Sequence, residues 1–401
     1  MEPISATSMP VLALNSGSSS LKFSLYQVRH DTGGNAQADL IAGGAAERIG
    51  LPSGRIWLKT PRATLHDESG AFAHHADAVK ALFGLLDVYQ LPRPQGVGHR
   101  FVSGGPKYID HQLIDEAFRT DIRNYFRFAP LHLPAEARAV DAVSQHFPDI
   151  PQVACFDTAF HRHIPEVAAR LPLPRNLWHE GVRKYGFHGL SYEYIVSQLP
   201  PSSTDRIVVA HLGNGASLAA IQNGQSIDTT MGLTPTGGLI MGTRTGDLDP
   251  GVIVYLINEK GYDASQLERV LDHLSGLLGI SGITSDMETL LRSDDPHAVM
   301  AVEMFAYSLR KAIAAMAAAL GGIDTLVFTG GIGENAAEVR QKACASLGFL
   351  SVEIDPAANA QNAPVISTAS SRVKVSVIPT DEDLVIARHT FRLLEQRNPS
   401  P

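Results

Sequence analysis

Residues 14–23, "LNSGSSSLKF", and residues 211–220, "HLGNGASLAA", repeat one pattern at two distant places in the chain. Each begins at the end of an apolar run, passes through glycine and small polar residues, and continues as a second apolar strand. This pattern predicts a β-hairpin. Because each copy is followed by its own series of strand and helix patterns, we expect an internal duplication with a cleft between the two halves.

The rest of the chain alternates between strand and helix patterns. Residues 29–95 are polar and turn-rich, and they predict only short β pieces before a helix. Pro134 suits the first turn of a further helix. The predicted helices cover residues 75–91, 113–127, 132–147, 251–273, 288–293 and 296–320, and the first hairpin pairs predicted strands at 11–14 and 21–28.

The composition is that of a globular chain without a basic surface. A length of 401 residues with 44% hydrophobic residues predicts two or three domains. The charged fraction is 18%, below the average of about 25% for soluble proteins. A net charge of −8 without a Lys/Arg block argues against nucleic acid or an anionic membrane as a partner. An anionic ligand must therefore be bound by a few placed cations.

The N-terminus and the cysteines indicate a cytoplasmic protein. The start "MEPISATSMP" lacks a basic region and a long apolar core, so we expect no signal peptide. Cys155 lies in the apolar run "QVACFD", which predicts a buried structural thiol. The most apolar helical stretch, residues 312–320, is shorter than the roughly 20 residues of a membrane span. We expect a reduced, soluble protein.

Both glycine hairpins carry groups that suit phosphate. Gly17 permits backbone geometry that other residues resist, so that N–H groups around it can hold phosphate oxygens. Residues 18–20 add serine hydroxyls, and Lys22 adds a positive charge. Taken alone, the first copy is equally consistent with a serine-rich turn and an outward lysine. The second copy favours a clamp in which two hairpins hold a polyphosphate from both sides.

A third glycine turn, "TGGIGENAAEVR" at residues 329–340, leads into a helix. Its backbone N–H groups and the helix dipole suit the α-phosphate or the ribose edge of a nucleotide. Ala336 stands where a dinucleotide fingerprint needs its last glycine, and the G-K-[ST] of a P-loop is missing. Neither a Rossmann site nor a Walker site is predicted.

Arg100 in "GHRFVSGG" and Arg244 in "MGTRTGDLDPG" are flanked by glycine and apolar residues. An arginine in such a place forms either an ion pair at the edge of the core or a bidentate clamp for phosphate or carboxylate. One arginine in each half favours the clamp, because the charge on a transferring phosphoryl group has to be met from both sides.

Asp157 and Glu382 each follow an apolar strand. A buried carboxylate is costly unless it is paired or bound to a metal, which applies to Asp157 in "CFDTAFH". Glu382 in "IPTDEDL" begins a helix, where a plain N-terminal carboxylate is the alternative. Mg²⁺ binds through one or two protein oxygens together with phosphate and water, so isolated acids of this kind suit it.

Three histidines, His132, His188 and His211, lie in distinctive segments, and none has the spacing of a metal ligand. His188, between an aromatic residue and a glycine, is placed to donate a hydrogen bond into a cleft. A purely structural role is the open alternative for it. The histidines at 74–75 and 161–163 are predicted to be exposed on helices rather than to bind a metal.

Together these segments resemble the acetate kinase family, acyl kinases for acetate and propionate with the fold of actin, the sugar kinases and the heat-shock chaperone ATPases. The resemblance runs from residue 11 to residue 390 in the order of the family. It rests on "NSGSSSLKF", "GHR", "APLH", "FDTAFH", "YGFHG", "HLGNGAS", "TPTGGLIMGTRTGDLDP", "FTGGIGEN" and "IPTDEDLVIARHT".

The resemblance implies an α/β fold of two duplicated actin-like (ribonuclease H-like) ATPase domains with the active site in the cleft between them. The first domain would comprise residues 1–158, completed by the C-terminal helix 385–401, and the second, nucleotide-binding domain residues 159–384. The family also implies a homodimer.

The implied reaction is the reversible transfer of the ATP γ-phosphoryl group to acetate, giving acetyl phosphate and ADP, with Mg²⁺ or Mn²⁺ as the metal. A carboxylate is already a nucleophile, so the enzyme has mainly to hold two anions in line and neutralise their charge. We therefore interpret Asp157 as a positioning, metal-linked carboxylate and not as a phosphate acceptor.

The resemblance assigns roles position by position. The implied catalytic residues are Arg100, Asp157, His188 and Arg244. The implied substrate-binding residues are Arg100 and His132, with Val102, Leu131, Phe187 and Pro235 around the acyl methyl group. The implied nucleotide-binding residues are Ser18, Ser20, Lys22, His211, Leu212, Gly213, Asn214, Gly215, Asp286, Met287, Glu288, Gly331, Ile332, Gly333, Glu334 and Asn335. Asn15 and Glu382 are the implied metal pair.

Four residues depart from the family pattern. Ser103 stands where histidine is usual, Leu133 where asparagine is usual, and Gly237 where an acidic residue is usual. Glu288 replaces an arginine beside the adenine, whereas Met287 is an ordinary variant. A carboxylate cannot stack as a guanidinium does, and it repels phosphate. We therefore predict weaker or less selective purine binding, or an altered phosphoryl donor.

Other functions are weighed against this one. A propionate or butyrate kinase is the nearest, because one methylene is worth only about 1–3 kcal/mol of discrimination. An actin-like ATP-dependent switch without an acyl substrate would not need two cleft arginines and His188. An NAD-dependent dehydrogenase is not supported, because the dinucleotide fingerprint is missing.

Overall fold

The structure is a computed structural model that describes residues 8–17, 19–31, 33–130, 132–200 and 206–397. The chain divides into two compact units. We call Met1–Ala159 together with Asp381–Pro401 the N-terminal unit, and Phe160–Thr380 the central unit. The chain thus returns to the N-terminal unit at Asp381, ahead of the predicted boundary at 384/385.

The N-terminal unit is built on an eight-stranded sheet with the order β5-β4-β3-β2-β1-β6-β8-β7. Strands β1 to β5 form an antiparallel meander, β1, β6 and β8 run parallel, and β7 pairs antiparallel with β8. Its strands are β1 (Ser8–Ser16), β2 (Ser20–His30), β3 (Ala36–Glu47), β4 (Gly54–Lys59), β5 (Thr64–Gly70), β6 (Gly96–Phe101), β7 (Gln112–Leu113) and β8 (Gln152–Phe156).

The central unit contains a five-stranded sheet with the order β11-β10-β9-β12-β13. Its strands are β9 (Ile207–Leu212), β10 (Ala216–Gln222), β11 (Gln225–Thr229), β12 (Thr325–Thr329) and β13 (Lys374–Val377). Strands β9 to β11 are antiparallel, and β9, β12 and β13 are parallel. The order and directions match β3-β2-β1-β6-β8, so each unit repeats one topology. The predicted α/β fold class with a repeated sheet is confirmed.

Residues 29–95 differ from the prediction of short β pieces. Strand β3 is 12 residues long and pairs with β2 from Ser20–Glu47 to His30–Ala36. Its sequence, AQADLIAGGAAE, is rich in glycine and alanine and has little strand propensity of its own. The long ladder with β2 determines its conformation, because packing and pairing override weak β-propensity.

The described residues also form helices, several of which pack on these sheets. They are α1 (His75–Val88), α2 (Glu116–Ile122), α3 (Leu133–His146), α4 (Glu166–Ala169), α5 (Arg175–His179), α6 (Gly189–Gln198), α7 (Pro250–Lys260), α8 (Ala264–His273), α9 (Gly276–Ser281), α10 (Met287–Leu291), α11 (Pro296–Ala319), α12 (Gly330–Asn335), α13 (Ala337–Cys344), α14 (Pro356–Ala360) and α15 (Glu382–Arg397), with 3-10 helices at Arg123–Phe128, Ala159–His161 and Gly348–Leu350. None of them is long and apolar enough to cross a membrane.

Helix α15 packs directly on strand β6 of the N-terminal unit. A Cβ atom at Gly98 would lie 2.2 Å from Thr390 Oγ1 and 2.5 Å from Ile386 Cγ2, so only glycine permits this approach. Cys155 on β8 is fully buried against the same helix, as predicted for a structural thiol. The C-terminal helix is therefore part of the core of this unit.

The single helix predicted over residues 251–273 is wrong, because the structure has two. Helix α7 ends at Gly261, whose φ of 66° lies in the left-handed region that favours glycine. Asp263 then caps α8 by accepting from the backbone N–H of Gln266, and the Gln266 side chain accepts from the backbone N–H of Asp263. This stop signal and start signal separate the two helices.

Candidate functional site

A cavity of about 750 Å³ in the central unit collects residues from three separate segments. The predicted nucleotide-binding residues at its surface are Gly213, Asn214, Asp286, Met287, Glu288, Gly331, Ile332 and Asn335. Ser285, Leu291, Arg292 and Ala336 complete the lining. The volume lies in the range of small-molecule sites.

The cavity is shaped by two glycine turns that touch back to back. Gly330 follows β12 with a φ of 76°, and a Cβ atom on it would lie 2.8 Å from the carbonyl oxygen of Leu212. Only glycine fits between β12 and the turn that follows β9. On the opposite side, Asp286 caps α10, because its carboxylate accepts from the Thr289 N–H at 2.9 Å. That contact and the Thr289 hydroxyl lower the pKa of Asp286.

Some predicted nucleotide residues support the turn rather than line the cavity. Leu212 is fully buried. The carboxylate of Glu334 accepts from the backbone N–H groups of Gly330 at 2.9 Å and Thr380 at 3.2 Å. Arg340, which the sequence analysis missed, is fully buried and donates to the carbonyl oxygens of Gly333 at 2.8 Å and Glu334 at 3.0 Å. These side chains hold α12 in place.

Glu288 does not face the cavity alone. Arg292, one helical turn later, forms an ion pair with it and lines the same cavity. Both side chains are exposed, Glu288 to 70% and Arg292 to 76%. A guanidinium is therefore present at this edge of the cavity. It belongs to Arg292 and not to position 288, where the family usually has arginine. The penalty for purine binding stays a prediction.

His188 and Arg244 converge on the second glycine hairpin. A Cβ atom on Gly215 would lie 3.2 Å from His188 Nε2 and 3.4 Å from Arg244 Nη1. His188 caps helix α6 with a left-handed backbone, φ 62°, which is uncommon for a residue with a side chain. His211 stacks on it with ring centroids 4.2 Å apart and an angle of 15°. A turn of backbone N–H groups, one guanidinium and two imidazoles therefore lie together, and they form a site suited to an anion.

Arg244 is held in place by its own loop. Its Nη1 donates to the carbonyl oxygen of Pro235 at 3.0 Å, and Met241 Sδ lies 3.8 Å from the same nitrogen. Pro235, predicted for the acyl pocket, is thus fixed to the predicted transition-state arginine. Phe187, the other pocket residue of this unit, is buried to 1% exposure.

In the N-terminal unit Arg100 lies among acidic groups. It forms a short ion pair with Asp157, and its Nε lies 3.7 Å from Glu382 Oε2. Burial disfavours the charge, but Asp157, Glu382 and Glu136 together raise the pKa of Arg100. Of the two alternatives left open for this residue, the ion pair is therefore present in the structure, and a clamp on substrate would act from it.

Glu136 is a buried acid that the sequence analysis missed. It belongs to the first turn of α3 and is 1% exposed. Its carboxylate accepts from the backbone N–H of Val102, at 3.2 Å to Oε1 and 3.1 Å to Oε2. Burial raises the pKa of Glu136 to about 8, despite the opposing effect of Arg100. A signal was available, since Leu133, Glu136 and Val140 share one buried helical stripe.

The outward face of β2 is lined with acidic partners from the C-terminal segment. Ser24 Oγ donates to Asp383 at 2.7 Å, and Tyr26 OH donates to Asp381 at 3.0 Å. Burial raises the pKa of Asp383 to about 6. Lys22 lies on the same strand face and acts electrostatically on Asp383. The first hairpin therefore has its lysine beside a group of carboxylates.

The other predicted residues of this unit lie around the same strands. Asn15 is opposite Lys22 in the ladder of β1 and β2. The N–H of Gly17 donates to the carbonyl of Ser20 at 2.8 Å, which closes the first glycine turn. Val102 is 2% exposed, and His132 begins α3. The predictions for Ser18 and Leu131 lie outside the described residues.

The prediction that His75 and His161 are exposed is wrong. Both are buried, with 4% and 2% exposure. His75 Nε2 lies 2.8 Å from the carbonyl of Gly17, and His161 Nδ1 lies 2.7 Å from Ser226 Oγ. Burial lowers the pKa of both, for His161 to about 3. Long-range partners, invisible in a local sequence pattern, bury these rings.

The acidic residues of the N-terminal unit fit a divalent cation. Asp157 and Glu382 both act on Arg100, so two carboxylates face one guanidinium charge, whereas the raised pKa of Glu136 favours its neutral form. Carboxylate oxygens, together with an amide oxygen such as that of Asn15, are the donors that Mg²⁺ prefers. Cys155 is paired with Arg100 in the ladder of β6 and β8, but its Sγ is directed to the carbonyl oxygen of Ile386 on α15.

The chain was then compared with known proteins. It matches the acetokinase family over residues 10–388. It is 45% identical over 394 residues to an acetate kinase of Rhodopseudomonas palustris, covering 96% of this chain and 98% of that protein. The crystal structure of Porphyromonas gingivalis acetate kinase has a TM-score of 0.84 at 37% identity, covering 96% of this chain and all of that one. A propionate kinase from Francisella tularensis has a TM-score of 0.88 at 35% identity with the same coverage.

Two sheets of one topology, each with a glycine hairpin at the site residues, define a two-unit α/β phosphotransferase. The chain belongs to the acetokinase family. The predicted family is confirmed, and so is the predicted activity, phosphoryl transfer to a carboxyl group.

Proposed function

We propose that the protein transfers the γ-phosphoryl group of ATP reversibly to acetate, giving acetyl phosphate and ADP by direct in-line displacement. The observation that carries this proposal is the convergence of His188 Nε2 and Arg244 Nη1 on Gly215 in a chain of the acetokinase family. In the transition state, the transferring phosphoryl group spreads its charge over three oxygens. Hydrogen-bond donors that are already in position stabilise this charge without reorganising.

The carboxylate of the acceptor needs no strong base, so the catalytic residues act by position and charge. Arg244 and His188 meet the oxygens of the transferring group. Arg100 binds the acceptor carboxylate, with His132 as a second donor. Asp157 fixes the orientation of the Arg100 guanidinium through their ion pair.

Asn15 and Glu382 would hold Mg²⁺, or Mn²⁺ in its place. The metal would neutralise phosphate charge and orient the polyphosphate. The surplus of carboxylates around Arg100 supports a cation in this part of the molecule. Chelation with EDTA is expected to abolish transfer, and added Mg²⁺ to restore it.

The nucleotide would occupy the cavity of the central unit. The turns at residues 213–215 and 331–335 would present their N–H groups to phosphate and ribose, and Asp286 to Glu288 would border the base. Ser18, Ser20 and Lys22 would contact the phosphates from the first hairpin. This assignment is supported by eight predicted residues around one cavity of about 750 Å³.

Val102, Leu131, Phe187 and Pro235 would receive the acyl methyl group. Propionate is the nearest alternative acceptor, because one methylene changes the free energy by only about 1–3 kcal/mol. The similarity to the propionate kinase of Francisella tularensis, with a TM-score of 0.88, supports this alternative.

A homodimer is the proposed assembly, and the cytoplasm is the proposed location. Helix α7 has the sequence PGVIVYLINEK and contains no buried residue, so its apolar side chains face solvent in the single chain. Val299, Met300, Met304 and Tyr307 form a second exposed apolar face, on α11. Apolar faces of this size mark interaction surfaces, and a twofold axis would cover both copies at once. V254E is expected to convert a dimer to a monomer in light scattering, whereas a wild-type monomer would contradict this.

The test of the proposed function measures acyl phosphate directly. Hydroxylamine converts acyl phosphate to a hydroxamate, which is assayed with acetate, propionate and butyrate against ATP, GTP and pyrophosphate. We expect the highest kcat/KM with acetate and ATP, and a strongly reduced rate of hydroxamate formation for Arg244→Ala. Hydrolysis of ATP without any hydroxamate would instead indicate an actin-like switch.

A further inference from the structure

Ser217 on β10 joins three groups beneath the proposed phosphoryl site. Its Oγ donates to the carbonyl oxygen of Phe187 at 2.9 Å. The same Oγ lies 2.7 Å from His188 Nδ1 and forms a short hydrogen bond with Tyr192 OH. Ser217 and Tyr192 are fully buried, so bulk water does not compete for these hydrogen bonds.

The positions of the protons follow from the chemistry of these groups. A backbone carbonyl accepts and cannot donate, so the single Ser217 proton goes to Phe187. The Ser217 oxygen is then an acceptor for its two other partners. Tyr192 OH and His188 Nδ1 must therefore both donate to it. His188 consequently carries a proton on Nδ1.

We propose that Ser217, supported by Tyr192, is a positioning residue that fixes His188 in the Nδ1–H form and directs its Nε2 toward the transferring phosphoryl group. That the anion is a phosphoryl group rests on the proposed function. The tautomer of His188 rests only on the hydrogen bonds of Ser217. Nε2 is the ring nitrogen nearest to Gly215, and Arg244 Nη1 lies near the same glycine.

The consequence is that only the imidazolium form of His188 donates to the phosphoryl oxygens. In the neutral ring with a proton on Nδ1, Nε2 is an acceptor and repels an anion. A ring protonated on both nitrogens donates from Nε2 and keeps its bond to Ser217. In this arrangement His188 would take up a proton on Nε2 when a phosphate group binds beside it.

His211, Arg244 and Tyr192 are among the groups that face His188 in this unit. His211 stacks on it at 4.2 Å, and Nδ1 of His211 lies 2.8 Å from Ser191 Oγ. Arg244 lies beyond Gly215, and Tyr192 is a neutral phenol on the Nδ1 side. Since two adjacent imidazolium rings repel each other, His188 and His211 are expected to take up their protons one after the other.

The test is nuclear magnetic resonance of the full chain labelled with 15N in histidine. Long-range proton–nitrogen correlations distinguish the two ring nitrogens, and the His188 signals are identified by their loss in His188→Asn, a residue that tolerates the left-handed backbone. We expect the neutral wild-type ring to carry its proton on Nδ1. A neutral ring protonated on Nε2 overturns the proposal, and this reading needs no variant that has to fold.

Two variants then measure the effect on the reaction. Ser217→Ala removes the acceptor for Nδ1–H, so we expect the Nε2–H form to gain population. The ring then loses the hydrogen bond that fixes its orientation, and the imidazolium loses a partner, so we expect kcat to fall about tenfold to a hundredfold with KM for ATP nearly unchanged. Tyr192→Phe leaves Ser217 able to accept from His188, so the tautomer is expected to persist. Unchanged tautomer and kcat in Ser217→Ala would refute the role of this serine.

Ser226→Ala is the matched control, because Ser226 makes the equivalent buried contact with His161 Nδ1 at 2.7 Å. It removes one serine–histidine hydrogen bond from the same unit, and the His188 signals should not move. A wild-type protein with the expected tautomer but no acyl phosphate would contradict the proposed function while leaving the tautomer intact.

Discussion

The two glycine hairpins share a backbone plan and differ in the charge around them. Residues 17–19 connect β1 to β2, and residues 213–215 connect β9 to β10. Each turn is closed by a backbone hydrogen bond, from Gly17 to Ser20 and from Gly213 to Gly215. In the first hairpin the acidic side chains of Asp381 and Asp383 contact Tyr26 and Ser24 on β2, whereas the second hairpin has His188, His211 and Arg244 beside its turn.

If the two hairpins contact one polyanionic substrate, as proposed above, this difference predicts a division of labour between them. The acidic surroundings of the first hairpin suit a metal ion, which binds phosphate through its own charge. The cationic surroundings of the second suit direct contact with phosphoryl oxygens. The proposed function therefore predicts two kinds of phosphate recognition from one topology, and variants that change the charge at one hairpin should reveal which hairpin contributes more to the reaction.

Removal of the guanidinium from the second hairpin should have the largest effect. Arg244→Ala is expected to lower kcat about a thousandfold, because a charged donor to the transition state is lost. Arg170→Ala, which removes a surface arginine paired with Glu166 in the same unit, serves as the control and should leave kcat unchanged. Steady-state kinetics decide the matter; a loss below tenfold in Arg244→Ala would place the main charge stabilisation at the first hairpin.

The Arg100–Asp157 pair allows the same comparison on the acidic side. Asp157→Asn keeps a hydrogen-bond acceptor for Arg100 and removes the charge, so kcat should fall about a hundredfold with a small change in Tm. Asp157→Ala should also lower stability, because a buried ion pair loses one partner. Kinetics and thermal unfolding of both variants test this, and near-normal turnover in a folded Asp157→Asn protein would contradict the assigned role.

Glu136 predicts how stability depends on pH. Its pKa is raised by burial from 4.5 to about 8, so the folded state holds a proton that the unfolded state has lost. The stabilisation is complete below pH 4.5 and disappears as the pH rises toward 8. Glu136→Gln keeps an acceptor for Val102 N–H and removes the titration, so its Tm should exceed that of wild type by several °C at pH 8.5 and by little at pH 5.

Glu116→Gln is the control for that experiment. Glu116 is the first residue of helix α2, belongs to the same unit as Glu136 and is exposed. Its Tm should follow the wild-type value over the whole pH range. Parallel Tm curves for wild type and Glu136→Gln would show that Arg100 keeps the carboxylate ionised in the folded protein.

The sequence is sufficient to predict that the unit of strand, glycine turn and strand occurs twice, because in each copy an apolar run ends at glycine and small polar residues. It does not predict the whole sheet, since β3 has weak strand propensity and is determined by its pairing with β2. It does not reveal which polar side chains are buried, since that depends on elements far away in the chain. His161 is buried by Ser226 on β11, and Glu136 is fixed by Val102. Gly261 and Asp263 are the stop and start signals that separate α7 from α8. The prediction of one helix followed the spacing of apolar residues, which continues across these two residues.

The nucleotide cavity yields the smallest expected effect and refines the contrast between the hairpins. If Arg292 offsets the charge of Glu288, then Glu288→Gln should lower KM for ATP by less than about threefold, because exposed ion pairs contribute under about 1 kcal/mol. Arg292→Ala should raise KM more than Glu288→Gln lowers it, since an unpaired carboxylate then faces the phosphates across the cavity. Measured KM values for ATP and GTP in both variants test this balance. A large gain in ATP affinity for Glu288→Gln would show that Arg292 does not offset the charge of Glu288. The carboxylate of Glu288 would then limit nucleotide binding in the cavity of the central unit.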